Sequence, residues 1–316
     1  MTEKRNGMAA SLSWRSRARG SLLLAACADA IGSVFEGHRG LDPEAVAAAV
    51  DRPKVPLQWT DDTAQMLVLA EHLAAQEGRI DMDALAAAFG AAWAAEPSRG
   101  YGPGAVTMLA QIAAGTPWQS AARAVFDGAG SLGNGAAMRV APIGLLPGRN
   151  LDDVAAAAVT SALVSHVHPE GIDGAVAQAL AVAIAANTPG TERPQANEFI
   201  EQITARTATA AFAADLQAVP SLIDGPASAI GERFRCDATA LGAVPASIAV
   251  FLRHPDDPRA AIKEAIGLGG DTDTIAAMTA GICGAYCGED AVPASWTAVL
   301  EQAARVLAAA DGIAGP

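Results

Sequence analysis

Trp59-Thr60-Asp61-Asp62-Thr63 and Gly270-Asp271-Thr272-Asp273-Thr274 sit near opposite ends of the chain, yet they share one form. Each places carboxylates beside hydroxyls at the head of a long apolar run. A single Asp at a helix N-terminus is ordinary capping, its oxygen accepting an orphan backbone N–H. Two carboxylates beside two threonines, occurring twice, exceed what capping requires. If the fold brings the segments together, roughly four negative charges converge, and such a cluster repels itself unless cations fill it. The ligands on offer are hard oxygens, which suit Mg2+, Mn2+ or Ca2+ better than zinc or copper. The two motifs thus predict a chain whose distant halves close on one site.

The elements between them read as helical. Hydrophobic residues make up 51% of the 316-residue chain while aromatics are only 4%, so alanine carries much of the apolar count. Runs such as Ala45 to Val50, Leu85 to Phe89 and Val154 to Val159 favour helix. Beyond the first acidic motif, Met66, Leu69, Ala70 and Leu73 repeat at the spacing of one buried helical face. Helices are expected from Trp14 to Ile31 and over 81–94, 103–114, 118–126, 135–145, 152–164, 169–186, 196–218, 240–252, 258–266, 275–287 and 293–310. Residues 1–13 read as a disordered tail. No linker interrupts 14–312, which reads as a single all-α domain.

Composition also excludes function classes. A net charge of −13 argues against a general binder of nucleic-acid backbone, which needs a basic face, but leaves a small nucleotide-like ligand open. The 4 cysteines, Cys27, Cys236, Cys283 and Cys287, form no CxxC pair and read as small buried hydrophobes. Arg15, Arg17 and Arg19 ahead of Leu22-Leu23-Leu24-Ala25-Ala26-Cys27 imitate a short signal peptide with a lipoprotein-type cysteine. Cleavage before Cys27 would remove most of a good first helix, and no stretch is expected to reach the ~20 residues of a membrane span. A cytoplasmic monomer without membrane contact is the expectation.

Four further segments offer chemistry. In Asp29-Ala30-Ile31-Gly32-Ser33-Val34-Phe35-Glu36, the plain reading makes Asp29 a helix-end residue and Glu36 a solvated loop charge. In Gly130-Ser131-Leu132-Gly133-Asn134-Gly135-Ala136-Ala137-Met138-Arg139, glycines and an Asn ahead of a helix can aim N–H groups at an anion or diphosphate. The same letters also describe a loop capped by Asn134 or Ser131. Ser165-His166-Val167-His168-Pro169-Glu170 pairs histidines at a spacing that does not put both rings on one helical face, so hydrogen-bonding roles are favoured over zinc. Arg99-Gly100-Tyr101-Gly102-Pro103-Gly104 is either a pocket wall or a connector, the connector being the simpler reading.

In this order the elements resemble the ADP-ribosylglycohydrolase family, from about Arg19 to Gly288, with Gly-Gly-Asp-Thr-Asp-Thr and Gly-Asn-Gly-x-Ala-Met-Arg the specific segments. The resemblance implies an all-α orthogonal multi-helix bundle with two Mg2+ ions, Mn2+ in some members, at the floor of a cleft. By motif position Thr60, Asp61, Asp62, Asp271, Asp273 and Thr274 would ligate the metals. Glu36 would approach the metals and the scissile bond and handle a proton, while Asp62 or Asp273 positions the water. Gly130, Ser131, Leu132, Gly133 and Asn134 would hold the diphosphate and adenosine side, and His166 would contact the ligand. Two residues depart from the pattern: some members place Tyr, able to stack on adenine, where this chain has Leu132, and Gly is frequent where it has Ala28.

The implied activity is hydrolysis of the glycosidic bond at the anomeric ribose carbon of an ADP-ribosylated protein or related conjugate, releasing ADP-ribose through an oxocarbenium-like transition state. An arginine linkage is mildly favoured, with Glu36 and Glu96 as the acidic groups that would suit a guanidinium leaving group. A non-catalytic ADP-ribose binder and a dinuclear phosphohydrolase are the alternatives.

Overall fold

The computed structural model describes residues 12–190 and 192–315. Among them are 17 α-helices, short 3-10 turns and no strand. The only extended pairings there are isolated bridges, Leu57 with Leu300 and Gly133 with Thr239.

Two helices form the axis. The first, Trp14–Gly32, starts where the Ser13 hydroxyl accepts the N–H of Ser16 and is buried without a break from Gly20 to Gly32. The second, Thr272–Cys287, is buried from Thr272 to Tyr286. They pack along their whole length because small residues let the backbones touch. A Cβ placed on Gly20 would lie 2.7 Å from the carbonyl oxygen of Gly284, and one on Gly32 would lie 2.6 Å from the Cα of Asp273. Between these points the Ser21 hydroxyl donates to the Gly281 carbonyl at 2.7 Å. The chain ends are therefore joined at backbone distance.

The remaining helices cover this pair. Pro169–Asn187 and Ala240–Arg253 pack on the Thr272 helix, and Ala303–Ala314 lies against both the first helix and Asp61–Ala75. Contrary to expectation, one segment, Trp14–Phe35 at 22 residues, is long and apolar enough to cross a membrane. In the fold 78% of its apolar window is covered by protein. The stretch that imitates a signal peptide is the core helix, with Cys27 fully buried. Of the expected tail, 1–11 lies outside the described residues.

Three expected helices are broken, each by a partner distant in sequence or by a missing donor. Over 135–145 there is a 3-10 turn, Asn134–Ala136, and a four-residue helix, Ala141–Gly144, because Pro142 has no N–H to continue the ladder. The 196–218 segment divides into Ala196–Thr204 and Ala210–Ala218. There the buried carboxylate of Asp173 accepts the N–H groups of Ala208 and Thr209 at 2.8 and 2.7 Å, drawing the backbone out of helix. The 293–310 segment breaks where Leu300 bridges Leu57 and Gln302 turns left-handed at φ 49°.

The axial contact yields a stability test. Gly284→Ala drives a methyl into the backbone of Gly20, and such overpacking costs about 1–3 kcal/mol. Urea unfolding should show that loss, while Gly267→Ala, at a position with open space around it, should leave the midpoint unchanged or slightly raised.

Candidate active site

The site begins at the N-terminus of Asp61–Ala75. Thr60 is the N-cap, its hydroxyl accepting the Asp62 N–H at 3.3 Å. Beneath it Asp29, fully buried on the first helix, accepts the Thr60 N–H at 3.0 Å, the Thr63 N–H at 3.1 Å and the Thr63 hydroxyl at 2.5 Å. One carboxylate thereby satisfies two of the orphan donors that every helix start presents. Asp61 and Asp62 are in consequence held in the first turn, both buried. Asp29 is a positioning residue that the sequence reading set down as a mere helix end. Its signal was a single acid inside an otherwise apolar run, Leu22 to Ile31.

The second wall is the loop before Thr272–Cys287. Gly269 and Gly270 take φ values of 71° and 83°, and a Cβ on Gly270 would strike the carbonyl of Cys236. Gly270 exchanges hydrogen bonds with the loop that carries Glu36: Gly37 N–H donates to its carbonyl at 2.8 Å, and its own N–H donates to His38 O at 2.7 Å. That clamp faces Glu36 toward the acidic helix start. Carboxylate oxygens of Glu36, Asp271 and Asp273 all lie within 4.8 Å of one another. The Asn134 amide donates to Asp271 at 2.6 Å, and Asp273 accepts the N–H of Thr274 at 2.9 Å.

The two walls share a pocket of about 230 Å3, into which Asp61 and Asp62 project with Glu36, Asp271, Asp273 and Thr274. Burial pushes the Asp61 carboxyl up to about 7 and, reinforced by Asp271, the Asp273 carboxyl up to about 9. Asp62 is raised well above the usual carboxylate range, first by burial and then by Asp273. Burial also raises Glu36, with Asp271 adding to it. The Asp62 Oδ2 atom is buried with no hydrogen-bond partner. An orphaned carboxyl oxygen amid other hard-oxygen donors is what a divalent cation would satisfy, so the residues present fit such an ion.

Not every expected residue lines this pocket. Ser131, Gly133, Asn134 and His166 do; Gly130, Leu132 and Thr60 do not. Thr60 faces a neighbouring cleft with Trp59 and Arg99. The glycine loop's donors are largely committed to its own shape: Gly133 N–H to the Ser131 hydroxyl at 3.1 Å and Asn134 N–H to Ala238 O at 3.0 Å. His168 caps the Pro169 helix by accepting the Glu170 N–H at 3.2 Å, so it acts in the backbone while His166 faces the pocket.

The segment 99–104, expected as a connector, is a wall of the pocket through Gly100, Gly102, Pro103 and Gly104. Its anchor is Arg99, which forks onto Glu301 at 2.7 and 2.9 Å and stacks 3.9 Å from the Trp59 ring. Phe126 was missed altogether. It lines the pocket while 60% exposed, on a left-handed backbone of φ 52°, with its ring tip 2.9 Å from where a Gly104 Cβ would stand. A lone Phe in an alanine-rich stretch carries no signal for this.

A helical bundle that gathers carboxylates from three separate segments around one pocket, beside a glycine loop and a histidine, offers the acids and the cation site that hydrolysis of a bond in a small polar ligand needs. The comparisons with known proteins say which hydrolases it joins: the ADP-ribosylglycohydrolase family model matches residues 10–315, and the chain belongs to that family. It is 33% identical to the ADP-ribosylhydrolase ARH3 of Xenopus tropicalis, across 89% of this chain and 90% of that protein. It is 34% identical to human ADP-ribosylhydrolase ARH3, across 89% and 88% respectively. A solved structure described as an ADP-ribosylglycohydrolase-related protein complex superposes with a TM-score of 0.71 at 25% identity, covering 95% of this chain and 98% of that one. The protein is accordingly an enzyme of the glycosidic-bond hydrolase class.

Asp29 tests the construction of the first wall. Asp29→Asn keeps the shape but turns one acceptor into a donor against the N–H groups of Thr60 and Thr63, and an unsatisfied buried donor costs about 1–3 kcal/mol. Chemical denaturation should register that loss, and hydrogen exchange at Thr60 and Thr63 should accelerate.

Proposed function

We propose that this protein is a divalent-cation-dependent ADP-ribosyl glycohydrolase that binds two Mg2+ ions, or Mn2+, among Asp61, Asp62, Asp271, Asp273 and Thr274, with Thr60, expected as a further ligand, capping the Asp61 helix beside the pocket. The observation that carries the reading is the meeting of Asp61 and Asp62 with Asp271 and Asp273 in one pocket, with Asp62 Oδ2 unsatisfied. Bound there, the ions would supply charge stabilisation and orientation for the ribose next to the scissile bond.

The protein's own groups divide the remaining work. Glu36 stands partly exposed at the rim, its carboxyl raised by partial desolvation and by Asp271. A carboxyl at that position is placed to exchange a proton at the scissile bond. Asp62 or Asp273 positions the attacking water against the anomeric carbon. The pocket also has apolar lining from Met108, Val125 and Phe126. Phe126 offers an aromatic face for adenine that Leu132, 37% exposed and outside the pocket lining, does not.

The substrate class in this proposal is an ADP-ribosyl conjugate. Support for an arginine linkage now rests on Glu36 alone, because Glu96 is paired with Arg99 at 2.7 Å. A cytoplasmic location belongs to the same reading: the signal-like stretch is core helix, and the 4 cysteines are free.

Two measurements test the proposal. Glu36→Gln and Asp271→Asn should each lower turnover at least about a hundredfold on a panel of ADP-ribosylated substrates, as expected for loss of an acid/base or metal-holding group. The released product should be free ADP-ribose. AMP or inorganic phosphate would instead mean phosphoester cleavage, and near-normal rates in folded variants would remove the assigned roles.

Independently, Mg2+ at about a hundred times its dissociation constant should stabilise the fold by about 2.7 kcal/mol. For a chain of this size that corresponds to a rise in Tm of about 4 °C, which Asp62→Asn should largely abolish. Stabilisation by Mg2+ without any release of ADP-ribose would describe a binding protein.

A further inference from the structure

Arg139 is 1% exposed, and no carboxylate among the described residues pairs with it. Its guanidinium lies 4.3 Å from the Phe89 ring centre. It donates to Gln65 Oε1 at 2.8 Å, to Ser165 Oγ at 2.6 Å and to the Ser161 carbonyl at 3.2 Å, while its Nε has no partner. Burying a cation without an anion is costly. Nothing in the hydrolytic reading uses this residue.

A guanidinium only donates, so each of its partners must accept. This fixes two hydrogens that would otherwise be free to choose. Gln65 must turn its oxygen to Arg139, which leaves its NH2 to donate to Asp61 Oδ2 at 3.0 Å. The Ser165 oxygen likewise accepts from Arg139, so its hydrogen must point elsewhere. Two acceptors lie in range: His166 Nδ1 at 2.8 Å and the Ala162 carbonyl at 3.4 Å. The Ala162 carbonyl already accepts the N–H groups of Ser165 and His166 at 3.0 and 2.8 Å. The hydroxyl therefore donates to Nδ1, and the ring hydrogen of His166 belongs on Nε2. That atom faces the glycine loop, 3.4 Å from where a Cβ on Gly135 would stand and 3.8 Å from one on Gly133.

We propose that Arg139 is a positioning residue that sets the polarity of the pocket wall at two points, turning Gln65 as a donor toward Asp61 and, through Ser165, holding His166 as the Nε2–H tautomer that donates to an anionic oxygen of the ligand. Burial and the adjacent guanidinium push the His166 imidazolium down to about 3, so the donor is neutral. The arginine lines the pocket wall with its guanidinium donors taken up by Gln65, Ser161 and Ser165, so it acts on the ligand through Ser165 and His166. The identity of the anion as the diphosphate of ADP-ribose rests on the function proposed above; the tautomer does not.

The test separates the two. Nitrogen-15 NMR of histidine-labelled, ligand-free protein should show His166 with an unprotonated Nδ1 and a protonated Nε2. Arg139→Met removes every donor at similar length and should shift His166 toward the Nδ1–H form. Ser165→Ala should do the same while leaving the guanidinium in place, and it carries the test if the arginine variant does not fold. Calorimetry with free ADP-ribose in Mg2+ should show affinity falling about tenfold in Ser165→Ala, the loss expected for one hydrogen bond to a charged group. An Nδ1–H tautomer in the wild type, or an unchanged tautomer in Ser165→Ala, overturns the proposal. A changed tautomer with unchanged affinity overturns the role assigned at the ligand. The expected tautomers in a protein that does not bind ADP-ribose would leave Arg139 as assigned and remove the ADP-ribose reading.

Discussion

Backbone contact between the Trp14–Gly32 and Thr272–Cys287 helices is the constraint from which the site follows. Helices that touch through Gly20, Gly32 and Gly284 have no freedom to slide, because any side chain there would meet carbonyls or Cα atoms. Fixing that register fixes the end of one helix against the start of the other. Gly32 then accepts the Thr272 hydroxyl at 2.9 Å, and Asp29 stands one turn back from it, under the Asp61 helix. Segments from both ends of the chain reach one pocket because the closest-packed pair in the core leaves them no other place.

Buried carboxylates serve two opposite purposes here, and the N–H groups around them decide which. Asp29 and Asp173 are buried, and each accepts backbone donors from a neighbouring segment, so each acts as an anchor that shapes local chain path. Asp62 is equally buried but keeps an oxygen without a donor. Carboxylates whose oxygens are filled by the protein stabilise it; those left open at the same depth raise its energy until something else arrives. That contrast separates structural acid from functional acid more clearly than burial or charge alone.

The same contrast explains what was legible in the sequence. The Thr-Asp-Asp-Thr and Gly-Asp-Thr-Asp-Thr segments announced themselves because their density of acids exceeds local need. The long helices did so because alanine runs and apolar spacing are local signals. What stayed hidden depends on a partner far along the chain. Asp173 breaks a predicted helix from 35 residues away, Leu57 breaks another through Leu300, and Arg99 turns an apparent connector into a wall by reaching Glu301. Asp29 looked like a helix end because its partners, Thr60 and Thr63, lie on another element. The glycine loop was legible as a backbone that approaches closely, but not in where its donors go, since the acceptor at Ala238 belongs to a different segment.

A chain with a net charge of −13 must still attract a doubly charged nucleotide conjugate, and the resolution is one of distance. Surface charges are screened over about 8 Å at physiological salt, so the overall balance governs encounters with long polyanions far more than the field inside a small pocket. Within the pocket both signs of charge stand close together. Glu36, Asp61, Asp62, Asp271 and Asp273 line it, and so does the buried Arg139, which is linked to Asp61 through Gln65 and to His166 through Ser165. Water cannot screen a buried guanidinium as it does a surface lysine, and one such charge can outweigh several exposed acids. The pocket thus holds a buried cation of its own among its acids, and the acidic exterior does not set the field that a ligand meets inside it.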